Sequence, residues 1–200
     1  MRRIVLGIAA VFVVVAALSA TYWFGMQRGW FGSEMGPGEI TGEVIPAEII
    51  KARMASRKPA GSPDSLILFG DLHVHTTISA DAFQSSLPLV GGTGVHPIAD
   101  ACDFARYCSA LDFWGSTDHA ESITPSRWKI IKDAVRACQK VSDGQAEPDM
   151  VSFIGFEWTQ VGITPETHYG HQNVIFQDLE DEKVSARPIA ATGIDEQSAM

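Results

Sequence analysis

The chain has little of what several function classes require. Its three cysteines include no C-x-x-C pair, so neither a redox dithiol motif nor a zinc-finger half-site is present. Positive charge is scarce: 15 Lys and Arg against 24 Asp and Glu give a net charge of -9. That balance argues against wholesale binding to nucleic acid or to anionic lipid. It leaves anionic substrates open, because bound metal ions supply local positive charge. No internal repeat and no low-complexity tract occurs. Hydrophobic residues are not lacking; at 46%, with ten Phe and five Trp, they suffice for a packed core.

One long apolar run exists, Ile4 to Met26, free of charged side chains and preceded by Arg2 and Arg3. As a helix rising about 1.5 Å per residue it would span roughly 35 Å, enough to cross a hydrocarbon core. The two arginines would hold its start in the cytoplasm, so all that follows would face outward. Tyr22, Trp23 and Phe24 fall where an interfacial aromatic belt sits. Ala17-Leu18-Ser19 and Ala20 offer a signal-peptidase site. Because the run continues past them, an uncleaved anchor is preferred over a cleaved signal. Residues 1–28 are thus expected to be a transmembrane anchor or signal peptide. The following domain is expected to be periplasmic or extracellular, or secreted if the signal is cleaved. Residues 29–64, rich in Gly and Pro, read as a linker; an apolar-polar pattern over Ile40–Lys51 can pack on the domain surface.

From Ser65 onward strands and helices alternate. Leu66–Phe69 reads as a buried strand leading into Gly70-Asp71-Leu72-His73-Val74-His75. A polar loop with Gly91, Gly92 and Gly94 follows, then a helix over Ile98–Ala110. Asp112–Thr117 reads as a second strand ending at Asp118-His119. Thr124-Pro125 gives an N-cap and a first helical position, and Trp128, Ile131, Val135 and Cys138 recur at helical spacing up to about Val141. Met150–Phe156 reads as a third strand delivering Glu157, and Gln172–Phe176 as a fourth with His171 at its start. This order predicts an α/β fold with a mainly parallel sheet, open or closed as a barrel. Ligands in such folds collect beyond the carboxyl ends of the strands. Four strands do not close a barrel, so residues 65–200 are expected to be the N-terminal part of a longer domain. Cys102 and Cys108 lie on different faces of one predicted helix, too far apart to bridge. Cys138 can pair with one of them, but Cys102 and Cys138 both lie on apolar stripes, so buried free thiols are expected.

His73-Val74-His75 is the sharpest chemical feature. Residues i and i+2 of a strand point the same way, so both imidazoles can converge on one ion, and imidazole suits Zn, Mn and Fe. Asp81 follows in a loop able to fold back, Asp118-His119 ends the second strand and Glu157 the third. Singly, His119 is as well read as a hydrogen-bonded loop histidine, and Glu157 as a carboxylate in an ion pair. Together, at one edge of a sheet, such mixed groups point to a site for two or three metal ions.

The same residues carry a resemblance. Gly70–Thr76, with Ser79 and Asp81, resembles the first motif of the polymerase-and-histidinol-phosphatase (PHP) superfamily, and Ser116-Thr117-Asp118-His119 resembles its second. Phe113-Trp114, Asp118–Glu121, Gly155–Thr159 and Gly170–Val174 are most similar to a large bacterial branch long labelled as a domain of unknown function. The resemblance covers about residues 66–178. It implies a distorted seven-stranded β/α barrel holding up to three Mn, Zn or Fe ions. His73 and His75 would bind one ion, Glu157 would bridge two, and Asp81, His119 and His171 would complete their shells. His168 would bind metal, touch substrate or cap its loop; His96 matches nothing and is left to structure. The superfamily's later histidine motif and final D-x-H motif have no counterpart before Met200, so this stretch alone is expected to bind metal weakly and turn over little.

The resemblance implies hydrolysis of a small-molecule ester by metal-activated water, of a phosphate ester as is usual in the superfamily or of an aryl sulfate as in the similar branch. Glu157 and Asp118 are the candidate catalytic carboxylates, Asp118 either orienting the His119 imidazole or relaying a proton. Glu121 and Arg127 are read as solvated surface charges rather than substrate contacts. The alternative is a non-catalytic metal-binding scaffold displayed outside the membrane. A nucleic-acid partner fits poorly with an acidic, exported domain.

Overall fold

The computed structural model describes residues 2–27, 36–58, 65–87, 91–92, 96–145, 148–160 and 164–189. Gly94 and Met200, which figure in the expectations above, lie outside them. A curled four-stranded sheet in the order β1-β2-β3-β4 organises the domain. Its strands are β1 (Gly70–Val74), β2 (Phe113–Ser116), β3 (Val151–Gln160) and β4 (Gly170–Ile175). The class is mixed α/β, as expected.

β1, β2 and β3 run parallel, but β4 is antiparallel to β3, with Thr159 opposite His171. The connection over 161–169 is shorter than the dozen or so residues a parallel crossover needs, so the chain returns as a hairpin. The curl brings the two edge strands together at one point, where Asn173 Nδ2 donates to the Leu72 carbonyl at 2.9 Å. Gly155 permits this packing: a Cβ there would lie 2.7 Å from the Val174 carbonyl and 3.1 Å from that of Ser116.

Alternation along the strands separates two faces. Trp114, Ile154 and Phe156 pack with the helices in the core, and Trp128 lies edge-on to Phe156 at 6.1 Å. The helix carrying Trp128, here α5 (Pro125–Lys140), begins as its sequence predicts, with the Thr124 hydroxyl accepting from the Arg127 N–H at 3.3 Å. Its buried stripe is Trp128, Ile131, Ala134, Val135 and Cys138.

Several expectations are corrected. The strand read at Leu66–Phe69 begins only at Gly70, and those four apolar side chains are about half exposed. The ladder starts late because the Asp112 carboxylate, ion-paired to Arg57 at 3.0 Å, takes the Phe69 N–H that a neighbouring strand's carbonyl would take. The polar loop after His75 contains a short helix, α3 (Ala80–Ser86). The helix expected over Ile98–Ala110 is α4 (Ile98–Asp103), which widens into a π turn over Phe104–Cys108.

Cys102 and Cys138 are not free thiols. They form a disulfide, Cα atoms 6.2 Å apart, that ties α4 to α5; Cys108 is free and exposed. Both apolar stripes face the same core, and packing brings the two sulfurs within bonding distance. Beside the disulfide, fully buried Arg106 donates to Asp149 Oδ2 at 2.9 Å, the Cys138 carbonyl at 2.8 Å and Ser142 Oγ at 3.2 Å.

The described part of the expected linker is not a loose tether. It contains α2 (Ala47–Ser56) and buries Ile45 and Ile50. Thr41 N donates to Asp103, and the Tyr107 hydroxyl to the Thr41 carbonyl at 2.8 Å, so the pattern read over Ile40–Lys51 does pack on the domain. Ahead of it α1 (Arg2–Gln27) is a continuous helix. Among the described residues, however, no helix is long and apolar enough to cross a membrane. The expected transmembrane span is therefore not supported by the described structure.

Candidate metal centre

The site forms where the ends of β1 and β2 meet the middle of β3 and the start of β4. His73 is in β1 and His75 one residue beyond it. His119, past the end of β2, forms an isolated parallel bridge with Glu157. Glu157 is therefore not at a strand end as expected but inside β3, which continues to Gln160. Because β4 is antiparallel, His171 near its start lies at this same end of the sheet. Asp81 occupies the first turn of α3 rather than a loop.

Glu157 is the centre of the group. Its Oε1 faces His171 Nδ1 at 2.6 Å. Its Oε2 faces His75 Nε2 at 2.7 Å, His73 Nε2 at 3.3 Å and His119 Nδ1 at 3.4 Å. His75 Nε2 is buried, yet despite its closeness to Oε2 it has no hydrogen-bond partner. A buried polar atom without a partner costs about 1–3 kcal/mol. A nitrogen close to a carboxylate oxygen but not aligned with it is the geometry of donors directed at a shared cation. The residues present therefore fit a divalent metal.

Three overlapping groups bring one ligand atom from each member within 4.8 Å of the others: His73, His75 and Glu157; His75, Asp81 and His119; His119, Glu157 and His171. All six expected ligands are brought together, and each group can hold an ion. Among the described residues these groups do not include His168, which lies in the exposed loop before β4. His96 sits beside Asp100 at 3.3 Å.

Exposure grades across the centre. The Glu157 and His75 side chains are 3% and 16% exposed at its floor, whereas His73, His171 and Asp81 are 58%, 53% and 60% exposed at its rim. An open rim distinguishes a site that can admit substrate from a closed structural one. Burial pushes the Asp81 carboxyl upward, but the Ala82 N–H and the His119 and His75 imidazoles outweigh it and leave the group below its ordinary range.

Asp118 is placed differently from either role expected of it. Fully buried, its carboxylate accepts from Thr76 N and Oγ1, Ser79 N and Oγ, and Ser116 Oγ. None of these donors is an imidazole. Arg127, read as a surface charge, is buried on α5 and donates to the Ser122 carbonyl at 2.6 Å. Burial pushes its guanidinium down, and nearby Asp118 opposes that shift. Glu121 lies 4.0 Å from His119 Nδ1, at the edge of the centre.

Thr159 was missed by sequence reasoning. Its hydroxyl lies 3.0 Å from His171 Nδ1 and 3.5 Å from His119 Nδ1. The signal was available: two residues beyond Glu157 on one strand, it must share Glu157's face. Compared with protein-family models, curated proteins and solved structures, the chain matches none.

Proposed function

We propose that this chain carries the metal centre of a hydrolase acting on phosphate or sulfate esters, of the kind its motifs resemble in the PHP superfamily. The observation that carries the reading is the convergence of four imidazoles on the buried Glu157 carboxylate beneath an open rim. His73, His75 and Glu157 would hold one divalent ion, and His119, Glu157 and His171 a second, with Glu157 common to both. Asp81 with His75 and His119 would serve a third. Mn, Zn and Fe all suit this donor set.

Divalent ions at such a centre acidify water and neutralise charge on the oxygens of an ester. The chain's own part is to hold that chemistry in place. The curled sheet fixes Glu157 and His75 at the floor, and the exposed His73, His171 and Asp81 leave the approach open. The Thr159 hydroxyl can donate to either neighbouring imidazole or to a substrate oxygen. The sheet is also what the front part of a distorted β/α barrel would present. The Cys102–Cys138 disulfide, a bond of oxidising compartments, supports an outward-facing domain.

Metal analysis of the whole protein, paired with assays on nitrophenyl phosphate, bis-nitrophenyl phosphate and nitrophenyl sulfate with added Mn, tests this reading. Two or three ions per chain with turnover of one ester class is the expected result. Bound ions with no turnover on any substrate would favour a metal-binding scaffold, and absence of bound metal would sink the proposal.

A further inference from the structure

We propose that Asp118 is a positioning residue, a latch that with Thr76 and Ser79 aligns the metal-ligating segments, and that it carries no proton in the reaction. The inference rests on the metal-centre reading above and assigns a role to three residues outside its ligand set.

The ligands come from separate stretches of chain, and Asp118 joins three of them. Its Oδ1 accepts from Thr76 N at 2.7 Å, Ser79 N at 3.1 Å and Ser79 Oγ at 2.9 Å, which closes the loop between His75 and Asp81 around one oxygen. Its Oδ2 accepts from Thr76 Oγ1 at 2.9 Å and Ser116 Oγ at 3.1 Å. The Ser79 hydroxyl, while donating to Asp118, accepts the His119 N–H at 2.8 Å. The Asp118 carbonyl accepts the Glu157 N–H at 3.0 Å. One buried residue thus links the loop bearing His75 and Asp81, the backbone of His119, and the strand bearing Glu157. Among the described residues its carboxylate takes no hydrogen bond from an imidazole, and full burial removes it from substrate.

The two oxygens differ in what they require. Both backbone N–H groups end on Oδ1, and those donors cannot be reversed. Only hydroxyls, which rotate and can accept instead, meet Oδ2 at their shortest approach. An Asn at this position can keep its oxygen at Oδ1 and donate from Nδ2 to Thr76 and Ser116. A latch therefore tolerates Asp118→Asn, whereas a role that depends on the carboxylate charge does not.

The test is Co²⁺ titration of the whole chain, read by its visible absorption, with backbone amide hydrogen exchange on the metal-free protein. Asp118→Asn should keep Co²⁺ affinity within about threefold of wild type and preserve slow exchange at Thr76, Ser79 and His119. Ser79→Ala should weaken Co²⁺ binding about tenfold or more, the usual scale for losing a group that supports a metal ligand, alter the absorption, and speed exchange at His119. Asp118→Ala should do at least as much. Should Asp118→Asn prove as damaging as Asp118→Ala in both readouts, the carboxylate charge is what matters and the latch is overturned. Ser79→Ala leaving exchange and absorption unchanged would overturn it equally. A wild-type chain that takes up no Co²⁺ would defeat the metal reading alone, since exchange on the metal-free protein still judges the latch.

Discussion

At Glu157 a single carboxylate, 3% exposed, stands among four imidazole nitrogens. A carboxylate buried so deeply is costly unless hydrogen-bonded or neutralised, and a metal ion does the second for the whole cluster at once. Glu157→Gln keeps the shape and removes the charge. It is expected to lower bound metal to less than about a tenth of the wild-type content, the larger loss expected when a ligand itself is changed. Elemental analysis after equilibration with Mn checks this; unchanged content would remove Glu157 from the centre. The residue scale also holds the clearest lesson about legibility. His73, His75 and His119 were readable only in company, because a histidine pair at i, i+2 and mixed histidine and carboxylate groups at successive strand ends gather at one edge of a sheet. The work of Asp118 was not readable. Which neighbour a buried carboxylate accepts from is decided by a loop folding back from the adjacent strand, and spacing along the chain carries no trace of that.

Among the elements, α5 shows how local and distant interactions divide. Its start was legible from Thr124-Pro125 because capping is a contact within one turn. Its outer contacts were not. Lys132 and Arg136 pair with Asp181 at 2.6 and 2.8 Å, fastening the strap that follows β4 along the helix. Hydrogen bonds from Arg136 and then Lys132 pull the Asp181 carboxyl down to about 2. With its folded value depressed below the unfolded value of about 3.9, the group stabilises the fold above that range and loses its contribution as pH falls toward about 2. A carboxyl-carbon NMR titration should therefore find Asp181 still ionised at pH 3, and Arg136→Ala should return its midpoint toward the ordinary value. An ordinary midpoint in the wild type would mean the strap is not held this way. The antiparallel β4 belongs to this scale too: strands read as Met150–Phe156 and Gln172–Phe176 left room for a crossover, and only the extension of β3 to Gln160 shortened the connection to 161–169 and excluded the parallel pairing that the alternation of elements suggested.

Taken whole, the molecule is tied across its helical layer by Cys102–Cys138, which closes a loop of sequence separation 36. By loop-closure entropy such a bond contributes about 4 kcal/mol. Cys138→Ser should lower stability by about that amount, measured by urea unfolding of the oxidised protein. In the wild type a maleimide should label Cys108 alone until the protein is reduced and unfolded. Labelling of all three cysteines in the unreduced, unfolded chain would show the bond absent.

Composition and periodicity by themselves determined the α/β class, the central strands β2 and β3 and the span of α5, while the motifs with a family resemblance pointed to the six candidate ligands. These are fixed by near neighbours along the chain: apolar runs, a capping pair, residues two apart on one strand. Only the tertiary structure decided that two cysteines on separate apolar stripes bond and that Asp118 faces hydroxyls rather than an imidazole. It also decided that Leu66–Phe69 falls short of the sheet. Each of those outcomes depends on distances between residues tens of positions apart, which burial of a common core sets and local sequence does not encode.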